Sequence, residues 1–86
     1  MNARDRKAVA RLIEKLTELR SQCEVIAEEL TELADMEQEK YDNMSEGLQA
    51  SERGQAIMEA AENLSNAAGY CEEGNIGECV SLLEEI

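Results

Sequence analysis

The sequence predicts an all-α protein: a long N-terminal helix, a connecting loop, a second helix and a short C-terminal helix, packed as a helical hairpin or bundle and oligomeric. Three observations carry that expectation. The 86 residues contain no Pro, Phe, Trp or His, while Glu, Ala and Leu abound, a composition that favours helix and leaves little for a sheet. Apolar residues recur at helical spacing through the first half of the chain. A single domain this short buries only about 60% of the surface its unfolded chain exposes, so helices from a second copy, most simply a dimer, would complete its core.

The first helix is expected over residues 3–40. Val9, Leu12, Leu16, Leu19, Cys23, Ile26, Leu30 and Leu33 follow at alternating steps of three and four, a heptad repeat with apolar a and d positions. That row is the expected core and oligomer seam. Asn2 is placed to cap the helix, Asp5 complements its dipole, and Glu37 at the next a position marks where the seam ends. Ile13, Ala27 and Ala34 at e positions widen the stripe beyond what a two-stranded coiled coil needs, which suits a bundle.

A loop is expected over 41–51, inside the stretch KYDNMSEGLQASERGQ at 40–55. It is longer than the few residues a helix connection requires. As a connector it reads simply: Asn43, Ser45 and Ser51 suit turns and caps, Gly47 and Gly54 suit positive φ or close packing, and Met44 and Leu48 cover the open end of a helix pair. The same stretch also holds a polar cluster, Tyr41, Asn43, Gln49, Ser51 and Arg53, fit to grip a ligand or a protein partner. Arg53 motivates the second possibility, being one of only two basic residues after position 20.

The second helix is expected over 52–73, with Ile57, Ala60, Ala61, Leu64, Ala67, Ala68 and Cys71 on one face. Its alanines permit close helix approach, and its apolar face is thinner than that of the first helix. Cys79, Leu82 and Ile86 keep the phase of Ala61, Leu64 and Ala68 across eighteen residues, five full turns of a straight helix. Against continuity stand Gly74, Asn75 and Gly77, since an interior Gly costs about 1 kcal/mol relative to Ala. A turn at 74–76 and a last helix at 77–86 follow.

Residues 63–85, NLSNAAGYCEEGNIGECVSLLEE, resemble the helix-turn-helix of a tetratricopeptide repeat through Ala67, Tyr70, Gly74 and Asn75. No further copies accompany it, and such units need neighbours to bury their faces, so the resemblance implies only a tight helix turn. The block EQEKYDNMSEGLQASERGQAIMEAAENL at 37–64 resembles one found in small acidic helical proteins encoded by bacteriophages and prophages. Tyr41-Asp42-Asn43, Leu48-Gln49 and Ser51-Glu52-Arg53-Gly54 carry that likeness; Ser45 stands where those proteins have Pro, and the glycine-containing C-terminal segment departs from their uninterrupted helix. The resemblance implies phage origin and a helical hairpin, and it implies no reaction.

Charge is divided along the chain. Residues 1–20 carry net +3 and residues 21–86 net −15, within a total of −12. Such a field disfavours direct nucleic-acid binding and attracts basic partners. Glu14, Glu28 and Asp35 at f positions and Glu18, Glu32 and Glu39 at c positions make an outward acidic row, which reads first as a solvated helix face.

Enzyme chemistry finds little support. No His stands beside Cys23, Cys71 or Cys79 to generate a thiolate, and carboxylates on a solvated face lack the burial that tunes a general acid or base. Without C-x-x-C or His no metal site is expected, nor any cofactor, and the cysteines read as buried thiols. Cys71 and Cys79 lie about 12 Å apart along a continuous helix, beyond disulfide reach. No apolar run approaches the roughly 20 residues of a membrane span, and MNARDRKAVARLIEKL lacks the apolar core of a signal peptide, so the cytoplasm of a host bacterium is the expected location. The expected function is a non-enzymatic phage accessory protein that binds a host protein, a defence factor among the candidates. Two alternatives stand beside it: an acidic DNA mimic that occupies a DNA-binding host enzyme, and a sponge for a nucleotide signal.

Overall fold

The computed structural model describes residues 1–86 apart from the side chain of Glu73. Its helices are α1 (Ala3–Asp42), α2 (Glu46–Gln49), α3 (Glu52–Glu73) and α4 (Ile76–Glu84), with no strand among the described residues. α1 runs the length of a rod measuring 68 × 14 × 14 Å, and α3 and α4 return beside it in antiparallel sense. Ala34 thus lies near Ala61, Cys23 near Cys71, and Val9 and Ile13 near Leu83. No helix among the described residues is long and apolar enough to cross a membrane.

The Asn2 side chain caps α1, accepting from the Asp5 N–H at 2.8 Å. The helix continues two residues past the expected end at 40. Tyr41 extends the row of Ala27 and Ala34 by seven residues and is half-buried, and the Gln38 side chain donates to the Asp42 carboxylate at 3.0 Å across the last turn.

The expected seam divides in two. Val9, Leu16, Cys23 and Leu30, the a positions, are half-buried against the returning helices, as is Ile13, while Ala27 and Ala34 are buried. The d positions Leu12, Leu19, Ile26 and Leu33 remain 51%, 47%, 47% and 48% exposed. The physical reason is angular. At 100° per residue the a and e rows lie about 40° apart and the d row about 60° to the other side of a, so one neighbouring helix seats between a and e. Alanine at 27 and 34, opposite Ala61 and Ala68, lets that helix come close. These four alanines are the buried apolar residues, and no large side chain is fully buried among the described residues.

The connector is ordered. The expected loop at 41–51 holds α2, a single turn whose N-cap Ser45 accepts from the Leu48 N–H at 3.3 Å, and Ser51 caps α3 by accepting from the Gly54 N–H at 3.3 Å. Gly54 is buried where the end of α2 crosses the start of α3.

α3 ends at Gly74, whose ψ of 112° takes the chain out of helical geometry after its N–H has bonded to the Tyr70 carbonyl at 3.1 Å. The break is shorter than the expected 74–76, and the last helix spans 76–84 in place of 77–86. Ile76, Val80 and Leu83, spaced as one helix face, are half-buried toward α1 and draw residues 76 and 77 into α4. α4 therefore continues along α1. It does not fold back on α3 as a tetratricopeptide unit would.

Gly69 is a different case from Gly54, because a Cβ there would meet nothing within 4 Å. Gly69→Ala is expected to stabilise the fold by about 0.5–1 kcal/mol through the reduced backbone freedom of the unfolded chain. Thermal melting should rise by several degrees; a fall would mean that this part of α3 is packed against something.

Candidate interaction surface

Of the loop residues singled out from the sequence, Tyr41, Gln49 and Ser51 are brought together, and with Asn43 they serve the backbone. The Gln49 side-chain amide donates to the Tyr41 carbonyl at 3.0 Å, and the Gln55 amide donates to the Gln49 carbonyl at 2.9 Å. Ser51 both caps α3 and donates its hydroxyl to the Leu48 carbonyl. The Asn43 N–H ends α1 on the Glu39 carbonyl at 3.1 Å. Tyr41, Gln49 and Ser51 are half-buried in these roles, and Asn43 and Arg53 are exposed.

Arg53 stands apart. Of the two basic residues after position 20, Lys40 is held by Glu37 at 2.7 Å, whereas Arg53 has no carboxylate within 4.0 Å among the described residues. It lies in the first turn of α3, where the helix dipole disfavours a cation.

The two long sides of the hairpin differ in chemistry. On one, Asp35 and Gln38 of α1 meet Glu62, Ser65 and Asn66 of α3. Further along that side, Arg20 and Glu24 line a cleft with Glu72, Asn75 and Glu78, and the Arg20 guanidinium lies 3.2 Å from where a Cβ on Gly77 would stand. Helical geometry then assigns the other side to the d row of α1, to Ala60, Leu64 and Ala67 of α3, and to Cys79 and Leu82 of α4. Leu82 is 62% exposed. This side is apolar along most of the rod, with Val25 and Met36 at its border also exposed.

The outward carboxylates Glu14, Glu18, Glu28, Glu32, Asp35 and Glu39 are all exposed along α1. Cys23 and Cys71 are half-buried and Cys79 exposed, all as free thiols. No group of three or more metal-binding side chains occurs among the described residues. Comparison with protein-family models, curated proteins and solved structures finds no match to the chain.

Proposed function

We propose that the chain is a non-catalytic, phage-encoded accessory protein that acts in the host bacterial cytoplasm as a homodimer and binds a host protein, inhibiting or redirecting it, with a defence factor as the target class. The observation that carries this is the two-sidedness of the rod. A continuous apolar side with half-exposed Leu and Ile at every heptad is a surface for helix association, and exposed apolar patches of this kind mark protein interfaces. Arg53 and the f-position carboxylates Glu14, Glu28 and Asp35 lie outside that side and remain available to a second partner.

Within this proposal the loop recognises through Arg53, while Gln49 holds the loop in shape. Arg53→Ala should weaken capture of the host protein by about tenfold, the loss expected for one charge-assisted contact, with the melting temperature unchanged. Affinity pull-down from the bacterial host with wild type and variant, followed by titration of the retrieved protein, measures it. Unchanged affinity would leave the loop as a connector and move recognition to the acidic row. That outcome favours the DNA-mimic alternative, in which carboxylates exposed along a forty-residue helix stand in for phosphates and binding falls steeply with salt.

A further inference from the structure

We infer that the apolar side of the hairpin is covered by a second copy of this chain, laid antiparallel across a two-fold axis that crosses α1 at its midpoint, between Gln22 and Cys23. The inference rests on the self-association proposed above and adds its face, direction and register.

The amount of surface is the first support. The chain exposes 6615 Å², against about 5,100 Å² for a compact protein of its mass. Its radius of gyration is 19.8 Å, against about 12 Å for a compact domain of this length. The surplus, about 1,500 Å², exceeds the roughly 800 Å² per partner that a standard stable interface removes. A two-helix rod whose buried apolar residues are four alanines has too little core of its own, and two such rods stacked through their apolar sides form a four-helix bundle.

Charge complementarity selects the direction. With the axis at the midpoint of Ala3–Asp42, α1 overlaps its copy over its full length, Leu12 faces Leu33 of the second copy and Leu19 faces Ile26. In the flanking g row Lys15 then meets Glu29, and Asp5 meets Lys40 at the ends of the d row; in the c row beyond g, Arg11 comes level with Glu32 and Arg4 with Glu39. A parallel pairing would set each of these charges against its own kind. The basic first twenty residues and the acidic remainder of α1 thus match only head to tail. Arg4, Arg11 and Lys15, with Glu29, Glu32 and Glu39, make no ion pair within the chain among the described residues, so all six are free to bond across the axis.

The axis falls level with the α3–α4 junction, since Cys23 and Cys71 line the same cleft. α4 of one copy therefore lies over α3 of the other. Leu82 is thereby carried toward the shallow ground at Ala60 and Ala67, a large residue over small ones.

The test uses cross-linking in a background with Cys23→Ala, Cys71→Ala and Cys79→Ser. Chains bearing Lys15→Cys and chains bearing Glu29→Cys are mixed and treated with a short bis-maleimide. The mixture should give a covalent dimer and neither variant alone should, because residue 15 and its own copy are about 22 Å apart along an antiparallel pair. In parallel, with native cysteines retained, Lys15→Glu should weaken dimerisation by about tenfold and adding Glu29→Lys should restore it. Residues 15 and 29 are too far apart on one helix for that rescue to arise within a chain. Self-cross-linking by Lys15→Cys would overturn the antiparallel direction. A dimer in sedimentation with neither mixed cross-link nor charge rescue would overturn this face while leaving self-association standing. A 9.6 kDa monomer at micromolar concentration would remove both.

Discussion

Replacing Gly54 with alanine is expected to destabilise the protein by about 2–3 kcal/mol, although glycine-to-alanine changes inside helices ordinarily stabilise. Gly54 lies in the first turn of α3, and a Cβ there would stand against the Leu48 carbonyl and 2.6 Å from the Gln49 carbonyl. Both obstacles are backbone, so no side-chain rotation relieves them. The turn of α2 must lift, and with it go the Gln49 bond to the Tyr41 carbonyl and the Ser51 cap that starts α3. For a domain of this size the melting temperature should fall by about 10 °C or more. Gly69→Ala is the matched control, the same chemical change where space is open, and it should move melting in the opposite direction. Equal shifts for the two variants would mean that α2 is not seated on α3.

These paired glycines show how far the sequence could be read. α1 was legible because its period, its cap and its composition agree, and the structure places Asn2 and Asp5 in the roles their chemistry suggests. The connector was less so. Ser45-Glu46 and Ser51-Glu52 are two successive N-cap signals, and the first marked a short helix where only a loop was expected. Gly54 has negative φ, like every glycine described, so its need for glycine comes from a neighbour close in space, which local pattern does not reveal. The division of the seam was hidden for a related reason. An a/d repeat reports which rows are apolar, and which pair a partner covers depends on the partner's side chains. The small residues at 27 and 34 were the available signal that α3 would sit toward e. Tyr41, Gln49 and Ser51 were found as a cluster because turn-forming and ligand-binding residues share chemistry, and only the hydrogen bonds show how much of that chemistry is spent on the backbone.

Leu19→Ala and Ile26→Ala should each raise the dissociation constant of the proposed antiparallel dimer by about a thousandfold or more. In the single chain these side chains are each 47% exposed, so truncation alone removes little buried surface and should cost the isolated hairpin less than about 1 kcal/mol. Buried against a second copy, each becomes a core residue, where such a truncation costs about 2–5 kcal/mol. The two-fold axis repeats every substitution, so that cost is incurred twice per dimer, and 4 kcal/mol already corresponds to about a thousandfold. Leu16, half-buried against the returning helices, behaves differently. Leu16→Ala should destabilise the hairpin at any protein concentration, whereas the d-row variants should lose stability as the protein is diluted, since dimer stability depends on protomer concentration. Glu28→Gln, on the exposed acidic row, should cost less than about 0.5 kcal/mol in either regime. Melting at two concentrations a hundredfold apart, with sedimentation equilibrium on the same samples, separates the three behaviours. If Leu19→Ala and Ile26→Ala melt as Glu28→Gln does at both concentrations, the apolar side is not covered by a second copy.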